Sequence, residues 1–202
     1  MAIKLELKRT DRILFCGSKW WGDPDMPENM QYPTMEVTED GEKFDYPLTF
    51  VCQINCEDIA AFDKENRLPH EGMLYFFASV DDYIGYESPV QNPQGEWPKG
   101  RVAVKYAKTI NFETFQTCML VGDADEQLTE PELEIVFSEC DDTEPGIKML
   151  VGENGQPEFV TLLQMVTDSV SGMDLQNQSI SIIMKESDLK FGNWKRSKAI
   201  LK

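Results

Sequence analysis

Leu48-Thr49-Phe50-Val51-Cys52-Gln53-Ile54 and Phe159-Val160-Thr161-Leu162-Leu163-Gln164-Met165 are the stretches on which the fold of this chain turns. Each is a short apolar run rich in β-branched or aromatic residues, the pattern of a buried strand. Each ends at a glutamine followed by one more apolar residue. A polar connection then leads to a second run, Met73-Leu74-Tyr75-Phe76-Phe77 in one case and Ser179-Ile180-Ser181-Ile182-Ile183-Met184 in the other. Both second runs lead to acidic turns, Asp81-Asp82 and Glu186-Ser187-Asp188. A buried glutamine has to satisfy its whole amide, so the placing of Gln53 on Gln164 is the specific part of the match. The expectation is an internal duplication with repeat-like halves near 46–82 and 157–189.

Outward from these runs, strand patterns prevail. Ile3, Leu5 and Leu7 alternate with Lys4, Glu6 and Lys8, as a half-buried strand does, with a short helix as the alternative. Arg101 to Tyr106 alternates in the same way, and Glu132 to Phe137 admits a strand or part of a short helix. Glu57 or Asp58 is placed to cap a short helix over Ile59 to Asp63. Pro24, Pro27 and Pro33 keep Gly17 to Pro33 from forming a regular element, and Asn154-Gly155 signals a turn. Pro89, Pro93, Gly95, Pro98 and Gly100 mark a long connection that Trp97 pins to the body. No βαβ rhythm, long amphipathic helix or dividing linker is visible. The reading is one domain over 1–202, mainly β with a few short helices, a β-rich α+β chain.

Composition narrows the function classes. Nineteen Lys and Arg stand against 36 Asp and Glu, a formal net charge of -17. Nucleic-acid binding is dominated by cationic contacts with phosphates, so nucleic acid is not an expected partner, and neither is an anionic membrane. The basic cluster at Lys195, Arg196, Lys198 and Lys202 reads as a solubilising end. No run approaches the ~18 apolar residues of a membrane span, and Met1 to Leu7 lacks the apolar core of a signal peptide. Five cysteines without regular spacing fit reduced thiols in a cytoplasmic protein.

Three stretches resemble the YwqG-like proteins, a widespread bacterial group of unestablished molecular function. Ser18-Lys19-Trp20-Trp21-Gly22-Asp23-Pro24, with Pro27 after it, is similar to the family's S-x-x-G-G-x-P entry loop. Phe50 to Ile54, then Leu68-Pro69 and Gly72 to Phe77, are similar to its F-x-x-Q-I and L-P-x-x-G-x-L-x-F-F strands. Leu162-Leu163-Gln164-Met165 is similar to its L-L-L-Q strand. Trp21 departs from the first of two glycines, and Met173 to Asn177 replaces the family's W-G-D-x-G turn. The resemblance implies an antiparallel architecture of roll type. Because relatives lie near toxin and immunity genes in some genomes, it also implies that an immunity-like role is conceivable.

Catalytic chemistry finds few candidates. His70 is the lone imidazole, flanked by Pro69 and Glu71, and reads as a turn residue. Cys52 and Cys56 form C-x-x-x-C without the further ligands a structural zinc needs, and read as small buried hydrophobes. Asp123 to Glu134 has the oxygen spacing of a calcium loop, but Leu128 takes the place of its glycine. No catalytic residue, metal or cofactor is expected. Trp20 and Trp21, beside Asp23 and Asp25, form the oddest constellation. At least one indole is expected in the core; the other either packs within the proline-rich loop or is exposed as a candidate contact for a cationic or protein partner. With Gln53 and Gln164 these make the candidate binding residues. The expected function is a non-enzymatic interaction protein facing a basic protein or cationic ligand. The alternative is an enzyme or small-ligand protein with an acidic cleft between the repeats.

Overall fold

Strands make up most of the regular structure in the computed structural model, which describes residues 1–121, 129–152 and 157–202. The first part of the chain forms β1 (Ala2–Lys8), β2 (Lys19–Trp20), β3 (Asp25–Pro27), β4 (Thr34–Glu39), β5 (Glu42–Pro47), β6 (Thr49–Asn55), β7 (Met73–Ala78), β8 (Gly95–Glu96), β9 (Val102–Ala107) and β10 (Phe115–Thr117). The second part forms β11 (Leu133–Cys140), β12 (Ile147–Met149), β13 (Val151–Gly152), β14 (Phe159–Val166), β15 (Ser179–Lys185) and β16 (Lys198–Leu201). Single-turn helices α1 (Cys56–Ile59), α2 (Asp81–Ile84) and α3 (Glu186–Lys190) follow β6, β7 and β15. Among the described residues no helix is long and apolar enough to cross a membrane.

Twelve strands join one curled, roll-like sheet in the order β8-β16-β15-β14-β12-β1-β11-β2-β6-β7-β9, with β13 added to β14. Two ribbons, β3–β10 and β4–β5, stand apart from it. The order reads alike from the centre outward. β1 and β11 pair antiparallel with Leu5 and Phe137 at the centre of the register. β11 is followed by β2, β6, β7 and β9, while β1 is followed by β12, β14, β15 and β16.

Registers repeat as well. β6 and β7 pair from Thr49 with Ala78 to Asn55 with Met73, with a register shift between Phe50 and Cys52. β14 and β15 pair through Val160 with Met184 to Val166 with Ser179, with a shift between Thr161 and Leu163. Placing Gln53 on Gln164 superposes the two shifts. Lys19 lies opposite Gln53, and Lys148 lies opposite Gln164. Trp21 and Leu150, just beyond these lysines, both take left-handed backbone at φ 57° and 59°.

The two hairpins differ on their outer faces. Their inner faces, including Ile54, Leu74 and Phe76 in one and Leu163, Ile180 and Ile182 in the other, meet in the main core. In the first hairpin Phe50, Met73, Tyr75 and Phe77 point the other way, into a second core with Met26, Met35, Val37 and Phe115 from the ribbons. That cover explains why β6 and β7 are continuous apolar runs. The second hairpin places Ser179 and Ser181 where the first has Met73 and Tyr75. Gln53 is therefore fully buried, whereas Gln164 is only partly so. The two glutamines occupy equivalent ladder positions in unlike surroundings.

Some local expectations are corrected. α1 starts at Cys56 with Asn55 as its cap, not at Glu57 or Asp58, because the Asn55 side chain accepts from the Glu57 amide. The acidic segments after β7 and β15 wind into α2 and α3, where carboxylates in the first turn favour the positive helix end. Glu132 to Phe137 resolves as strand because β11 is inserted between β1 and β2. The calcium-like spacing from Asp123 and the Asn154-Gly155 turn involve residues outside the described ones.

Candidate functional site

Five of the six sequence candidates gather around the entry loop. Trp20 on β2 is fully buried, and its ring meets that of Trp21 edge-on at 5.4 Å. Trp21 is 2% exposed and donates its indole N–H to the Ser171 carbonyl at 2.8 Å. Of the two alternatives for the second indole, the structure shows packing, and the reading as an exposed contact is corrected. β2 is an interior strand, and the left-handed turn at Trp21 folds the second ring inward. Asp23 is buried, and Asp25 is entirely so. Gln164 lies apart from this group, with four strands between β14 and β6.

Asp25 forms a closed polar knot. Its Oδ2 is 2.9 Å from Lys19 Nζ and accepts from the Cys16 amide and Gln53 Nε2, each at 2.9 Å. Its Oδ1 accepts from the Thr117 hydroxyl at 2.8 Å. Gln53 completes the exchange, accepting from the Asp25 amide at 2.8 Å and donating to the Gly17 carbonyl at 2.9 Å. The Tyr75 hydroxyl donates to the Asp25 carbonyl at 2.7 Å. A buried charge held by this many donors is fully engaged, so the knot fixes the loop in place. Burial and the nearby Asp25 charge push the Cys16 thiol up to about 11.

Beside the knot opens a cleft of about 310 Å³. Trp21, Tyr46, Thr49, Asp81, Tyr86 and Glu130 supply most of its chemistry. Asp81, 5% exposed, accepts from the Thr49 hydroxyl and, at 3.2 Å, from the Tyr46 hydroxyl. Desolvation raises its pKa despite those two bonds, and Asp82 adds to the rise. Tyr86 donates to Glu130 at 2.7 Å; that bond, then burial, pushes its phenol up to about 12. Burial and Asp81 push Tyr46 up to about 12 as well. Both phenols therefore stay protonated at neutral pH. Among the described residues lining the cleft there is no Lys, Arg or His, and Glu87 adds a further carboxylate. The walls carry no residue of β14 or β15, so this cleft does not lie between the two hairpins. A second cleft, of about 330 Å³, adjoins β14 and is lined in part by Arg67, Phe159 and Glu186.

Carboxylates and phenol groups without a counter-cation form an environment for a positive group. Sequence reasoning missed Tyr46, Asp81, Tyr86 and Glu130. Their one local signal was the acidic pair after β7, and only the fold brings the segments together. His70 contacts the buried Asp63 at 3.3 Å and lies outside the cleft. All five cysteines are free thiols, four of them buried.

Residues 18–179 match the family described as Domain of unknown function (DUF1963), in agreement with the resemblance to YwqG-like proteins. No curated protein matches the chain.

Proposed function

We propose that this chain, which belongs to the DUF1963 family, is a non-enzymatic binding protein that recognises a cationic group on a basic partner. The observation that carries this reading is the cleft itself, in which Asp81 and Glu130 stand with Trp21, Tyr46 and Tyr86 and, among the described residues, no lining residue is basic. The net charge of -17 extends the same preference over the whole surface and speeds encounter with a basic protein. Free, largely buried thiols fit a reducing cytoplasm, which belongs to the same reading. An immunity-like role is one form that such binding could take.

Titration of the full chain with an arginine-rich peptide tests this. Affinity should fall steeply between about 0.1 M and about 1 M salt, as the Debye length shrinks from about 10 Å to about 3 Å. It should fall again on Asp81→Asn or Glu130→Gln. Binding indifferent to salt and to both substitutions would refute the reading.

We also propose that the chain arose by duplication, with halves larger than the hairpins alone. What supports this is the matched register shift, the lysine opposite each glutamine and the sheet order repeated about the β1–β11 pair. In that scheme each half lends its first strand to the other. The ribbons, formed by β3, β4 and β5 between β2 and β6 and by β10 after β9, covered one half alone, and the two clefts then diverged.

A further inference from the structure

We infer that the cleft receives a single arginine side chain of a partner protein, whose neighbouring residues rest on an apolar rim; this rests on the cation-binding reading above. Size is the first ground. A space of about 310 Å³ lies at the low end of ligand sites, which run from about 300 to 1,000 Å³, and suits one long side chain.

The acceptors are the second ground. Asp81 already holds the Thr49 and Tyr46 hydroxyls, one on each oxygen, and Glu130 holds that of Tyr86. An incoming group that uses both carboxylates has to spread several donors in a plane. A guanidinium offers five donors in a rigid fork and packs against phenol rings such as that of the half-exposed Tyr86, whereas an ammonium is a compact, strongly hydrated point charge.

The rim is the third and separates a protein from a free small cation. Met119 and Val121 flank Leu120 of the cleft wall and are 65% and 53% exposed. Phe44 is 39% exposed and sits on the same face of β5 as Tyr46, two residues on. A polyamine gains nothing from such a rim. A protein does, because apolar residues around a charged anchor exclude water from it.

The test uses the full chain and four probes in calorimetry: a blocked pentapeptide with one arginine between leucines, its lysine counterpart, blocked arginine and spermidine. The arginine pentapeptide should bind about tenfold or more tightly than the other three, the step expected of a packed anchor. Phe44→Ser with Met119→Ser, both on exposed side chains, should erase its advantage over blocked arginine and leave blocked arginine unchanged. If that pair disturbs the circular dichroism spectrum, Met119→Ser alone should reduce the advantage. Equal binding of blocked arginine or spermidine would overturn the inference in favour of a free cation. Equal binding of the lysine peptide would overturn the choice of arginine. Failure of all four probes would refute the cation-binding reading itself.

Discussion

Replacing each glutamine of the matched pair by alanine separates two environments that the sequence makes look alike. Gln53→Ala removes three hydrogen bonds, leaving the Asp25 amide and the Gly17 carbonyl without that partner and the Asp25 carboxylate with one donor fewer. The Asp25 amide is deeply buried, and a stranded group of that kind costs about 1–3 kcal/mol. Gly17 is only partly buried, so water recovers some of its loss. A total of about 2–4 kcal/mol follows. With a urea slope of about 2 kcal/mol/M, the midpoint drops by about 1–2 M. Gln164 is only partly buried, and Gln164→Ala should cost under about 1 kcal/mol. Urea unfolding followed by tryptophan fluorescence compares the two directly. A Gln53→Ala variant no less stable than Gln164→Ala would refute the role given to the Asp25 knot.

The remaining expectations concern pH, backbone and thiols. Burial raises the Asp81 pKa, so its charge is lost at a higher pH than for a free aspartate, and affinity for a cationic peptide should decline as pH falls through a value above 3.8; a profile unchanged in Asp81→Asn would contradict this. For stability the sign is opposite: a raised carboxyl pKa gives stability that is fully present below the unfolded value and lost as pH rises through the folded one, so Asp81→Asn should fare better against wild type at pH 7 than at pH 3 in denaturant melts. Gly72→Ala should unfold or severely destabilise the chain, because φ is +82° and the new Cβ would lie 2.1 Å from the Ala107 carbonyl oxygen; Gly41→Ala, with φ +86° and open space, should cost only about 1–2 kcal/mol in the same thermal melt. Cys118, the one cysteine not fully buried, should react first with an aromatic disulfide reagent, with Cys52 the slowest because burial raises its thiol pKa; uniform rates would contradict the packing.

Local pattern made the two central hairpins legible. β6, β7, β14 and β15 each show the apolar density that burial demands, and β1 shows its alternation. The second core was written in Met73, Tyr75 and Phe77, apolar where Ser179 and Ser181 are not, but that contrast gains meaning only once the registers are known. Trp20 and Trp21 could not be assigned from spacing, because the left-handed residue at Trp21 breaks the strand alternation. The pairing of β1 with β11 at the sheet centre was invisible, since it joins segments more than a hundred residues apart. The cleft was hidden for the same reason: Tyr46, Asp81, Tyr86 and Glu130 come from separate segments, and none carries a motif.

The most direct test of a cation site at Asp81 is backbone amide shift mapping of the full chain by NMR during titration with the arginine pentapeptide. The largest shifts should fall on Gly22, Thr49, Asp81, Tyr86 and Glu130, and they should vanish in Asp81→Asn. Shifts confined to β14 and β15, or an unchanged pattern in Asp81→Asn, would contradict the assignment of the site.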